Sequence, residues 1–192
     1  MNPSFWFPWR DRRPPFIYPV AMPLRTVVFE PLFRKSVRAP YVDPASLDAV
    51  AQVRRYRPAV LAGRLETLLD LYPQLDVLPT HGLVVFVTEG SHCLSDTGRD
   101  ALWNTYRVPL FEEVITTEGQ LVAWECEAHD GLHLAPGAQA VRCAVEEVAC
   151  PCGKPGPRAI NPRIAPAFNP EAAAAPLLIP APIASAARHG AM

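Results

Sequence analysis

Between residues 41 and 160 the apolar positions switch repeatedly between helical and strand spacing. Asp43 and Pro44 suit a helix cap and first position, and Leu47, Val50, Ala51 and Val53 follow at helical intervals. Residues 44–56 are therefore predicted as a helix. "RPAVLAG" (57–63) reads as a short strand closed by Gly63, and "RLETLLDLY" (64–72) as a helix with Leu65, Leu68, Leu69 and Tyr72 on one face. "GLVVFVTEG" (82–90) is a continuous apolar run between glycines, the pattern of a strand buried on both faces. Ser95 caps a predicted helix over 96–106 whose Ala101, Leu102 and Tyr106 face inward. "VPLFEEVI" (108–115) and "QLVAWEC" (120–126) are the next strands. This alternation predicts an α/β fold, a small three-layer, mainly parallel sheet joined by right-handed crossovers.

Proline changes the picture outside that span. Of 23 prolines, nine fall in residues 1–44, nine in 151–192 and five between. A residue without an amide donor and with a fixed φ resists helix and sheet alike. The expected organisation is an extended arm over 1–40, an α/β domain over 41–160 and a Pro/Ala-rich extended arm over 161–192. The first arm is basic, with seven Lys and Arg against Asp11 and Glu30, and it carries Phe5, Trp6, Phe7, Trp9, Phe16 and Tyr18. Clustered aromatics at a terminus have no local core to enter and are frequent interface anchors, so both arms are expected to contact other protein subunits. No nucleic-acid fold motif accompanies the basic stretch, so nucleic acid is not an expected partner. No run of 18 apolar residues is present to span a membrane.

Five cysteines without an apolar signal segment point to a reducing, cytoplasmic setting and to metal ligation rather than disulfides. "WECEAHDGLHL" (124–134) places Cys126 three residues before His129 and seven before His133, and "CPCGKPG" supplies Cys150 and Cys152 ahead of Gly153. Cys-x-Cys-Gly is a ligand knuckle: the chain turns sharply enough for both thiolates to reach one ion. Three thiolates and one imidazole close a tetrahedron, so the expected cofactor is one structural zinc ion, with His129 and His133 as alternatives for the fourth ligand. Cys93 and Cys143 are left as structural residues. Glu112, Glu113 and Glu118 form an acidic cluster read as a solvated strand edge, with magnesium binding as the less favoured alternative.

The same segments, in order, resemble the phenylacetate–CoA ligase family of adenylate-forming enzymes. The resemblance runs through "VRRYRPAVLAGRLETLLDL", "VVFVTEGSHCLSDTGRDALWNTYRVPLFEEV", "ITTEGQLVAWECEAHDGLHL" and "CPCGKPGPRAI", and covers residues 47–160. It implies the zinc pattern of the family's zinc-bearing members and favours His133 over His129. It also implies that Thr117 and Glu118 occupy positions that touch phosphate and magnesium in the family, here as a vestigial cofactor-binding pair. The family's Gly/Ser/Thr-rich phosphate loop, ribose aspartate and C-terminal catalytic lysine have no counterpart in this sequence. The chain is therefore expected to be a non-catalytic accessory or scaffold subunit of a larger complex, zinc-stabilised, with no catalytic residues. The alternative is an acyl-CoA-ligase-like enzyme or half-site subunit that binds an acyl, CoA or nucleotide ligand.

Overall fold

The computed structural model describes residues 18–20, 24–33, 39–88, 93–135, 141–146, 149–154 and 158–164. They build one eight-stranded sheet carrying three helices. In chain order the elements are β1 (Thr26–Val28), α1 (Ala49–Tyr56), β2 (Val60–Gly63), α2 (Leu65–Leu71), β3 (Gly82–Thr88), α3 (Asp96–Tyr106), β4 (Leu110–Ile115), β5 (Leu121–Glu125), β6 (Leu132–Leu134), β7 (Val141–Glu146) and β8 (Arg158–Ile164). Strand order is β1-β2-β3-β4-β5-β6-β8-β7. The fold is α/β as expected, and β1 to β4 run parallel.

Beyond β4 every pairing is antiparallel. Five residues separate Ile115 from Leu121, far fewer than a parallel crossover needs, so β4 and β5 close as a hairpin. Gly119 makes that turn with φ +80° and donates its amide to the Thr116 carbonyl. β7 and β8 were not expected. Val141, Cys143 and Val145 carry the period-2 signal for β7, but β8 includes Pro162 and sits in a stretch whose proline content argues against sheet.

One face of the sheet is covered by the helices. Val27, Leu61, Leu83, Val85 and Leu110 pack there with Val53, Leu68, Leu102 and Tyr106, and the Tyr106 hydroxyl donates to the Leu68 carbonyl at 2.6 Å. The opposite face has no α-helix over it among the described residues, only the single 3-10 turn Pro31–Phe33. Val28, Ala62, Val84, Phe86 and Ile115 are instead packed by Phe33, Ala39, Tyr18, Val20 and Leu24, with Phe33 stacked on Phe86 at 4.9 Å. Part of the stretch expected as an extended N-terminal arm therefore forms an edge strand and the third layer. Thr26, Val27 and Val28 are β-branched residues between prolines, enough for a three-residue strand once β2 offers an edge. The remainder of both expected arms, with Trp6 and Trp9, lies outside the described residues.

Helix starts show where pattern and capping disagree. The first helix begins at Ala49, not 44, because Asp43 accepts the Ala45 amide and Ser46 bonds Asp48, which makes a polar turn. Leu47 sits on that turn fully exposed rather than on the helix's apolar face. Ser95 does cap α3, its hydroxyl accepting the Gly98 amide at 3.1 Å. Ser95→Ala is expected to cost about 1 kcal/mol of unfolding free energy, read by urea denaturation.

Candidate metal centre

β5 ends at Glu125, and Cys126 follows it directly. The turn back into β6 is tight: His129 and Gly131 both hold positive φ, and the His129 amide donates to the Cys126 carbonyl. β6 then presents His133, opposite Trp124 in the β5–β6 register. The loop between β7 and β8 supplies the other half. Gly153, at φ +75°, lets its amide bond the Cys150 carbonyl, so the chain doubles back and the Lys154 amide points at Cys152 Sγ from 3.4 Å.

These turns bring Cys126, His133, Cys150 and Cys152 together, with one donor atom from each lying within 4.8 Å of the others. Cys126 Sγ is 3.6 Å from Cys150 Sγ, and Cys152 Sγ is 3.3 Å from His133 Nε2. A tetrahedral ion with metal–sulfur bonds near 2.3 Å and metal–nitrogen bonds near 2.0 Å requires edges of about 3.8 Å and about 3.6 Å. The two closest donor pairs lie within about 0.3 Å of those edges, and the whole set could hold one metal ion.

The protonation preferences of the ligands pull in different directions. Burial pushes the Cys126 thiol up to about 12, with its two neighbouring cysteines adding to the shift. Such a thiol releases its proton when a metal ion competes for the sulfur. At Cys150 burial acts upward too, but the Cys152 amide and the neighbouring thiols outweigh it and hold the pKa below its ordinary value. Burial of His133, with the Lys154 and Arg158 charges nearby, lowers its pKa and keeps the imidazole neutral, the ligating form.

His129 is directed elsewhere. Its Nδ1 lies 3.0 Å from Glu125 Oε1 and its ring stacks on Phe111 at 5.0 Å. It lines a cleft of about 980 Å³ together with Trp103, Leu110, Arg99, Glu112 and Glu125. The floor of this cleft is a charge network that nothing in the sequence announced. The Arg99 guanidinium donates to Glu112 at 2.9 Å and to Glu125 at 3.2 Å, and Glu125 also accepts the Glu112 amide at 3.0 Å. Acids outnumber bases in the lining, with Asp96, Glu112, Glu125 and Asp130 against Arg99.

Thr117 and Glu118 stand on the exposed β4–β5 turn, where the Thr117 hydroxyl donates to Glu118 Oε1 at 2.8 Å. That bond is the main reason the Glu118 pKa is lowered. The acidic cluster is not a solvated edge. Glu112 and Glu113 are both buried and, as neighbours on one strand, point to opposite faces, with Glu118 apart from them in solvent.

Among the described residues, neither carboxylate oxygen of Glu113 has a hydrogen-bond partner, and burial alone holds its pKa well above the ordinary 4.5. The folded chain keeps a proton there that the unfolded chain releases, so stability falls as pH rises from about 4.5 towards the folded value. Glu113→Met is expected to stabilise the protein by about 1–3 kcal/mol at neutral pH. The gain should shrink towards pH 4 in urea titrations run across the range.

No family model and no curated protein matches this sequence. Among solved structures, the crystal structure of an open conformation of 2-hydroxyisobutyryl-CoA ligase in complex with 2-HIB-AMP and CoA is similar at a TM-score of 0.47 and 11% identity. The match covers 67% of this chain, which spans 39% of the length of that one. The metal centre and the cleft stand on their own geometry.

Proposed function

We propose that this chain is a zinc-stabilised, non-catalytic subunit that works by protein–protein association. The observation that carries the reading is the donor set: three thiolates and one imidazole within 4.8 Å of one another, all from the protein. Zinc suits that set, and four protein ligands leave no position for a substrate or an activated water. The ion would tie β5 and β6 to the β7–β8 loop and so fix the antiparallel half of the sheet.

Two further observations weigh against the ligase-like alternative. Thr117 and Glu118, the pair that the resemblance assigns to phosphate and magnesium, sit on an exposed turn bonded to each other. The cleft is lined by an excess of acids, a poor electrostatic match for ATP, CoA or a carboxylate substrate. The association role rests on the aromatic and apolar content of residues 1–17 and 165–192, in segments such as "PLLIPAPI".

The test has two arms. Carboxylate-dependent pyrophosphate exchange by the full chain should be absent, and exchange abolished by Glu118→Ala would favour the enzyme. Deletion of residues 165–192 should leave a folded, zinc-loaded protein that no longer co-purifies with its native complex. A deletion variant that aggregates alone would instead assign that segment to the domain's own stability.

A further inference from the structure

A row of three residues running across the sheet ends at the metal centre. Glu113, Trp124 and His133 oppose one another directly along β4, β5 and β6, so their side chains share a face. His133 is fully buried, and its Nε2 faces Cys152 Sγ, which assigns that nitrogen to the ion. The other ring nitrogen, Nδ1, has no hydrogen-bond partner among the described residues. Metal-ligating histidines ordinarily give this second N–H to a carboxylate, a carbonyl or a water, and that bond sets the ring's orientation. Here the indole of Trp124 lies against the imidazole instead, with centroids 5.2 Å apart and planes 17° from parallel.

We propose that Trp124 is the positioning residue of the metal centre, holding the His133 ring in its ligating orientation by stacking where a hydrogen bond would otherwise do so. This role rests on metal binding at the centre, as proposed for the chain's function. The placement of Trp124 on β5 suits the task. The next residue, Glu125, is braced by Arg99, and the one after is the ligand Cys126, so one fixed segment delivers a sulfur and orients the imidazole. Trp124 is only partly buried, and its indole N–H has no partner among the described residues.

The test uses the full-length protein, with zinc affinity measured by competition against a chromophoric chelator. The ligand-field spectrum of the cobalt(II)-substituted protein supplies a readout that lost packing alone would not move. Trp124→Leu is expected to weaken zinc binding by about 10- to 100-fold and to change the cobalt bands, while Trp124→Phe, which keeps a stacking ring, stays near wild type. Should Trp124→Leu fail to fold, Trp124→Met fills similar space without a ring and answers the same question. Val84→Ala, a buried change on the same face in β3, controls for stability and should leave affinity and spectrum unchanged. Wild-type affinity and spectrum in the ring-less variants would overturn the role of Trp124 while leaving the metal centre intact. A wild-type protein that takes up no zinc would overturn both.

Discussion

Cys150→Ser is expected to abolish stoichiometric metal binding and to unfold the β6–β8 region while the parallel half of the sheet persists. Structural zinc contributes on the order of 10 kcal/mol of apparent binding free energy in small domains. β6, which presents His133, is only three residues long, and two of the four ligands come from a loop. Deuterium exchange should rise across residues 132–164 in the variant and stay low across β1 to β4. The burial of Leu61, Leu83 and Val84 gives that half a core of its own. Metal removal by a chelator should reproduce the pattern in the wild type, and zinc should reverse it.

The second large effect concerns Arg99. It is the cation between two carboxylates, Glu112 and Glu125, whose side chains are only 3% and 7% exposed. Arg99→Met removes the charge and keeps much of the packing volume. Breaking a buried pair on one side leaves uncompensated charge and typically costs about 3–5 kcal/mol, an upper range here because Arg99 itself is 30% exposed. Burial already raises the Glu112 pKa against the pull of Arg99, so the variant should raise it further. The folded state then binds a proton that the unfolded state releases, and the variant's deficit should narrow as pH falls from 7 towards 5. Urea denaturation at both values reads the effect. An equal deficit at each pH would assign the loss to packing rather than charge.

These two sites differ in how far the sequence reveals them. The metal ligands come from two local turns, and Cys-x-Cys-Gly specifies its own geometry through Gly153, so three of the four donors are readable from spacing. Spacing alone leaves His129 and His133 open and the resemblance favours His133; the register of β6 places His133 opposite Trp124 and leaves His129 in a left-handed turn against Glu125. The Arg99 network joins α3, β4 and β5 across 13 and 26 residues of sequence, and no local pattern encodes such a meeting. Glu112 and Glu113 show the cost of reading charge without faces: consecutive acids looked solvated, yet each is buried on its own side of β4. The long, strongly patterned elements were legible, above all β3 and α3. The short strand β1 in its proline-rich setting was not, because its pairing with β2 rather than its own propensity makes it a strand.

The most direct measurement is the metal content of the full-length protein purified under reducing conditions, by native mass spectrometry set against the denatured mass. One zinc ion per chain, retained through dialysis and absent from Cys150→Ser and His133→Ala but present in His129→Ala, is the predicted result. A wild-type chain that carries no metal, or that melts at the same temperature with and without zinc, would contradict it.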